Sequence, residues 1–124
     1  MKLCSVELKS RPYYNSIFSL KFTFANGFES PVLSSNWDIC LAEDNIKLDS
    51  RIPIIRVMSY YKHSEGVKSI HFLTTGSEVV AKYDPLETGL RGKAYEVLDN
   101  EAIVGAYGIK DSKQHITSLG LVAI

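Results

Sequence analysis

A four-residue pattern, apolar-x-Ser-apolar, recurs along this chain at nearly equal spacing. Its copies are Ile17-Phe18-Ser19-Leu20, Val67-Lys68-Ser69-Ile70 and Ile116-Thr117-Ser118-Leu119, separated by 50 and 49 residues. A second set keeps step with it. Ile54-Ile55-Arg56-Val57 and Ile103-Val104-Gly105-Ala106 lie 49 residues apart, each 13 residues ahead of its tetrad, and Ser5-Val6-Glu7-Leu8 is a shortened counterpart in the first unit. Gly27 and Gly76 follow the first two tetrads as turn residues. Self-similarity at a fixed period marks a fold built from copies of one supersecondary unit. A unit of about 49 residues is too long for a leucine-rich repeat and holds about four strands of ordinary length.

Inside the units the hydrophobic rhythm is two residues, the period at which strand side chains alternate between faces. In Ser19-Leu20-Lys21-Phe22-Thr23-Phe24, the apolar Leu20, Phe22 and Phe24 share one side, and Ser19, Lys21 and Thr23 the other. Asn26-Gly27 then predicts a hairpin, because a type I′ turn needs positive φ at both central residues. Thr74-Thr75-Gly76-Ser77, after Ser69-Ile70-His71-Phe72-Leu73, predicts a second turn. Further strands are expected at Val6 to Leu8, Ile54 to Tyr61, Ala94 to Leu98, Ile103 to Tyr107 and Leu119 to Ile124. The nearest approach to a helical stripe is Asp38 to Leu48, where Ile39, Leu41, Ile46 and Leu48 fit strand spacing about as well. Pro12, Pro31, Pro53 and Pro85 stand near strand ends, where a missing N–H is tolerated. The expected class is all-β. Three units are fewer than a typical propeller has, which leaves three sheets around one axis, their inward faces forming a common core.

The length of 124 residues suits one domain, 1–124. Lys+Arg and Asp+Glu both number 14, and this zero formal charge argues against a duplex nucleic-acid binder, which needs surplus cations to displace phosphate counterions. No apolar run is long enough for a spanning helix. Cys4 and Cys40 are too few for a disulfide scaffold and lack zinc-ligand spacing; two reduced thiols and a single disulfide both remain open. The start, MKLCSVELKSR, has no apolar signal region, and no asparagine sits in an N-x-[ST] sequon, so a cytoplasmic location is expected.

Several stretches resemble the jacalin-related lectins. They are Ile54 to Tyr61 running on to Val67 to Phe72 with Gly76 after, then Glu101 to Gly108, Ile116 to Leu119, and the closing Leu119-Gly120-Leu121-Val122-Ala123-Ile124. The resemblance covers roughly residues 3 to 124 and lies in strand pattern and spacing. It implies a type I β-prism of three Greek-key sheets with pseudo-threefold repeats, here with the family's first strand missing. It also implies a non-catalytic sugar-binding module without cofactor or metal. The family's site pairs a Gly-rich first strand with a G-x-x-x-D loop near the C-terminus, whose aspartate accepts hydrogen bonds from sugar hydroxyls.

The chain departs from that pattern at the site. The aspartate would stand second in the tetrad, where the three copies carry Phe18, Lys68 and Thr117, and the last loop reads Lys113-Gln114-His115-Ile116-Thr117. Asp111, in the same loop, is the carboxylate that could take its part, with Gln114 and His115 as further donors. The candidate ligand site is therefore Gly108, Asp111, Gln114, His115 and Thr117; an ordinary polar loop between two strands is the competing reading. Without the first strand one sheet is a strand short, and its open edge invites strand addition by a protein partner. Met1 to Leu8 folding back, or a three-stranded sheet, would answer equally.

Other constellations carry less. Gly89-Leu90-Arg91-Gly92-Lys93-Ala94 lacks the G-x-x-x-x-G-K-[ST] spacing and following helix of a phosphate loop. Asp111, Ser112 and His115 are the residue types of a triad, yet no elbow motif or oxyanion donors accompany them. His63, His71 and His115 fall in separate segments without metal-ligand spacing, and His71 alternates with Ile70 and Phe72, which places it outward. Tyr13-Tyr14, Tyr60-Tyr61 and Trp37 are either packed aromatics or binding platforms. Two functions stand side by side: a glycan-binding module, and a structural or protein-interaction subunit of a larger assembly that has lost sugar binding. The expected partners are a carbohydrate or a strand-adding protein, with neither nucleic acid nor a membrane span, and with oligomerisation left open.

Overall fold

The computed structural model describes residues 3–10, 16–30, 33–34, 42–49, 51–62, 65–85, 88–97, 103–110 and 116–123. The first unit contributes β1 (Leu3–Ser10), β2 (Ile17–Phe24), β3 (Leu33–Ser34) and β4 (Ala42–Lys47). The second contributes β5 (Arg56–Lys62), β6 (Gly66–Thr74), β7 (Glu78–Tyr83) and β8 (Arg91–Glu96), and the third β9 (Ile103–Lys110) and β10 (Ile116–Ala123). The strand order is β3-β2-β1-β4 in the first sheet and β7-β6-β5-β8 in the second. These are the same Greek key: a central hairpin, a third strand beside its second arm, and a fourth crossing to its first. The third sheet pairs β10 with β9, two strands among the described residues.

Alternation delivers the core. On β1, Val6 and Leu8 are buried while Glu7 and Lys9 are exposed; on β2, Leu20, Phe22 and Phe24 are buried with Ser19, Lys21 and Thr23 between them. Val6 lies opposite Phe22 and Ile46, and Val57 opposite Phe72 and Tyr95, so the two sheets present the same row inward. Ile116 of the third sheet joins Val6, Phe22, Ile70 and Phe72 in one cluster. Burial of this apolar area is the main stabilising term.

The repeated tetrad has a geometric cause. Ser10 faces Ile17 and Lys9 faces Ser19, so the ladder steps over Phe18. Tyr61 faces Val67 and Tyr60 faces Ser69, which steps over Lys68. Lys110 faces Ile116 and Ile109 faces Ser118, which steps over Thr117. Each tetrad is a β-bulge, with two residues of one strand opposing one of its partner. The bulge breaks alternation, and so both Ile17 and Phe18 are fully buried. It also accounts for the variable second position, whose residue stands outside the ladder.

Both glycines mark turns, but the first is not the type I′ turn centred on Asn26-Gly27 that the sequence suggests: its closing hydrogen bond runs from Gly27 to Phe24, which makes Ala25 and Asn26 the central pair. Gly27 takes φ +87° and donates its N–H to the Phe24 carbonyl at 2.9 Å, while the Phe28 N–H donates to Asn26 Oδ1 at 3.0 Å. The hairpin it starts is short: a single bridge, Thr23 to Glu29, precedes β3. Gly76 takes φ +77° in a 3-10 turn, Thr75–Ser77, between β6 and β7. A positive φ at these two sites suits glycine, which has no Cβ to clash. The ambiguous Asp38 to Leu48 window holds strand β4, in which Ile46 is the buried residue.

Candidate functional site

The five residues expected to hold a ligand divide in two. Gly108 lies on β9 opposite Leu119, at the register position of Leu8 opposite Leu20 and of Ser59 opposite Ile70. Thr117 is the bulge residue of β10, so the hairpin brings Gly108 and Thr117 to the same end of the third sheet. Asp111, Gln114 and His115 lie outside the described residues, as do His63, Trp37, Tyr13, Tyr14 and Cys40. Cys4 is a free thiol on β1.

The corresponding ends of the other two sheets show what their bulge positions hold. Phe18 is an apolar plug, fully buried. Lys68 is 1% exposed, and its Nζ donates to Glu65 Oε1 at 3.0 Å; Lys62 Nζ stands 3.2 Å from the second carboxylate oxygen. Ser16, one residue before β2, donates its hydroxyl to the Glu65 backbone carbonyl and ties the first sheet to the second hairpin. The hydrogen bond from Lys68 is the largest influence holding the Glu65 carboxyl below its ordinary range, against a partial desolvation that pushes it upward. At the positions where the lectin resemblance places a sugar-binding carboxylate, one sheet therefore presents a buried ring and the other an ammonium paired inside the protein.

A different feature lies on the outer face of the first sheet. A cleft of about 560 Å³ is lined by Glu7, Leu8, Lys9, Ser19, Lys21, Glu43, Asp44 and Asn45, a size within the range of small-ligand sites. Its concavity follows from register. Glu7 stands between Lys21 and Asn45, and Lys9 between Ser19 and Glu43. Glu7 pairs toward β2, with Lys21 Nζ at 3.0 Å, whereas Lys9 pairs toward β4, with Glu43 at 3.5 Å. The long side chains part, leaving the shorter Ser19 and Asn45 between them. Lys21 is also 3.4 Å from Glu29; its hydrogen bond to Glu7 chiefly raises its pKa above the ordinary lysine value. In the sequence these residues read only as the solvent half of alternating strands, and the missing signal was the pairing of β1 with β4.

The second sheet fills the same register positions with other chemistry. Met58, His71 and Ala94 replace Glu7, Lys21 and Asn45, while Tyr60, Ser69 and Gly92 replace Lys9, Ser19 and Glu43. Tyr60 lies across Gly92 so closely that a Cβ there would stand 3.0 Å from its ring. His71 faces outward as its alternation requires, but its side chain is only 15% exposed. The Tyr60 ring is 5.0 Å from it, and its Nε2 approaches Asp84 Oδ2 at 3.3 Å without hydrogen-bond geometry.

No family model matches the sequence, and no curated protein matches it. Solved structures do. The crystal structure of the prostate-specific WGA16 glycoprotein lectin aligns with 99% of this chain and 82% of its own at a TM-score of 0.69 and 16% identity. The crystal structure of PirB aligns with 99% of this chain and 29% of its own, at a TM-score of 0.67 and 17% identity. Identity this low speaks to fold, and the fold is the β-prism of the jacalin-related lectins. Among the described residues no helix is long and apolar enough to cross a membrane.

Proposed function

We propose that residues 1–124 form one non-catalytic, glycan-binding domain acting in the cytoplasm. The observation that carries this reading is the likeness to a lectin over nearly the whole chain. Fold alone does not fix function, so the reading also names a site: Asp111 accepting from sugar hydroxyls, Gln114 and His115 donating, and Gly108 and Thr117 beside them. A glycan-array screen of the folded chain tests it. Saturable signals that disappear in Asp111→Ala are expected, and a blank array from folded protein overturns it.

One observation favours a second reading, a protein-interaction subunit without sugar binding. The third sheet has two strands among the described residues where the others have four, and Phe18 and Lys68 leave no free carboxylate at their bulges. A partner adding strands at that sheet would satisfy edge N–H and C=O groups. A blank array together with a stable complex that protects β9 or β10 amides from hydrogen exchange supports this alternative.

A further inference from the structure

We infer that the outer cleft of the first sheet is a second glycan-contact site, fitted to a neutral, hydroxyl-rich saccharide segment. The inference rests on the glycan-binding reading and places a contact on a sheet face, distinct from the 108–117 loop. Three properties of the cleft select that ligand class. Its rim carries charged and polar heads on aliphatic stems, so a wholly apolar ligand would strip water from the heads without return, whereas a sugar offers both hydroxyls and C–H faces. Its charges are mixed, with Glu7 paired to Lys21 and Glu43 to Lys9, so an anionic sugar meets carboxylates wherever it meets an ammonium. A sugar hydroxyl donates and accepts at once, and can therefore bridge a carboxylate and an ammonium of one rim. Such bonds are charge-assisted, the stronger kind in water-exposed recognition.

The rim is also partly pre-ordered. Lys21, 23% exposed, is held between Glu7 at 3.0 Å and Glu29 at 3.4 Å, which fixes the ammonium before any ligand arrives. Ser19, its cross-strand neighbour Lys9 leaning away toward Glu43, supplies open floor and a hydroxyl. Ordering polar groups in advance reduces what binding must spend on side-chain entropy.

The test uses the full chain on an array of neutral oligosaccharides printed beside sialylated and sulfated ones. Three variants are compared with the wild type after thermal melts establish that each is folded. Ser19→Tyr fills the floor, Glu43→Gln removes the carboxylate charge and exchanges one acceptor oxygen for a donor, and Asp111→Ala alters the loop. The expected result is that neutral-glycan binding falls about ten-fold or more in Ser19→Tyr and in Glu43→Gln, each with the 108–117 loop intact. Binding that survives both cleft variants overturns the proposal; if Asp111→Ala then abolishes it, the lectin reading stands with the loop as its site. Signals confined to sialylated or sulfated glycans overturn the cleft's ligand class. A blank array overturns the lectin reading and the cleft together.

Discussion

The first and second sheets share strand order, inward row and bulge, and differ on the face turned to solvent. Inward, Val6, Phe22 and Ile46 correspond to Val57, Phe72 and Tyr95. Outward, the polar set Glu7, Lys21, Asn45, Lys9 and Glu43, charged apart from Asn45, corresponds to Met58, His71, Ala94, Tyr60 and Gly92. The inward row is constrained by close packing, where a change of one methylene is felt. The outward row carries no shared core, so its residues are free to differ between the sheets. An internal repeat therefore acts as its own control: what the two sheets share is what the prism needs, and where they part is where binding chemistry is free to be written. One face opens a cleft because its long side chains diverge; the other closes it by laying a ring over a glycine.

The largest effects should test the shared part. Phe22 and Phe72 are 1% and 0% exposed, and replacing either with alanine should cost about 3–5 kcal/mol in urea unfolding. Both costs should fall in that range; a substitution that costs almost nothing in one sheet would break the equivalence of the two. Next comes the bulge, where the sheets already differ. Glu65→Ala should cost about 1–3 kcal/mol by removing an acceptor of the buried Lys68 ammonium. This loss should depend on pH. The folded Glu65 pKa lies below its ordinary value, so its contribution is complete above the ordinary carboxylate range and fades as pH falls through the folded value. Acid titration of stability should accordingly be shallower in Glu65→Gln than in the wild type. Asp49, held at about 2 chiefly by its hydrogen bond from Arg51, should act with the same sign, but water screens this exposed pair, so Asp49→Asn should change the acid limb little. The smallest change is expected from transplanting one outer face onto the other. Tyr60→Lys with Gly92→Glu recreates the Lys9–Glu43 pair on the second sheet and should alter stability by about 1 kcal/mol or less in a thermal melt.

How much of this was legible depended on whether the signal was local. Leu20, Phe22 and Phe24 announced β2 through their period, and the tetrads announced three equivalent hairpins, because a bulge repeats whatever fills its extra position. Strands β3 and β4 were faint for the opposite reason: one is two residues long, and the other buries a single side chain, Ile46. Parity placed His71 outward correctly, but its cover came from Tyr60, on a strand whose register no local pattern supplies. The same holds for the cleft. Lys9 and Glu43 are 34 positions apart in the chain and meet only through the pairing of β1 with β4. The candidate loop was read from resemblance, and the structure adds the placement of Gly108 and Thr117 at one hairpin end.

The most direct test of glycan binding through the first sheet is an amide NMR titration of the full chain, adding neutral oligosaccharides one at a time. Saturable shifts at Glu7, Lys9, Ser19, Lys21, Glu43 and Asn45 are expected, while Met58, Tyr60 and Ala94 at the matching positions stay still. Shifts on the second sheet in place of the first, or no saturable shift with any sugar, would contradict it.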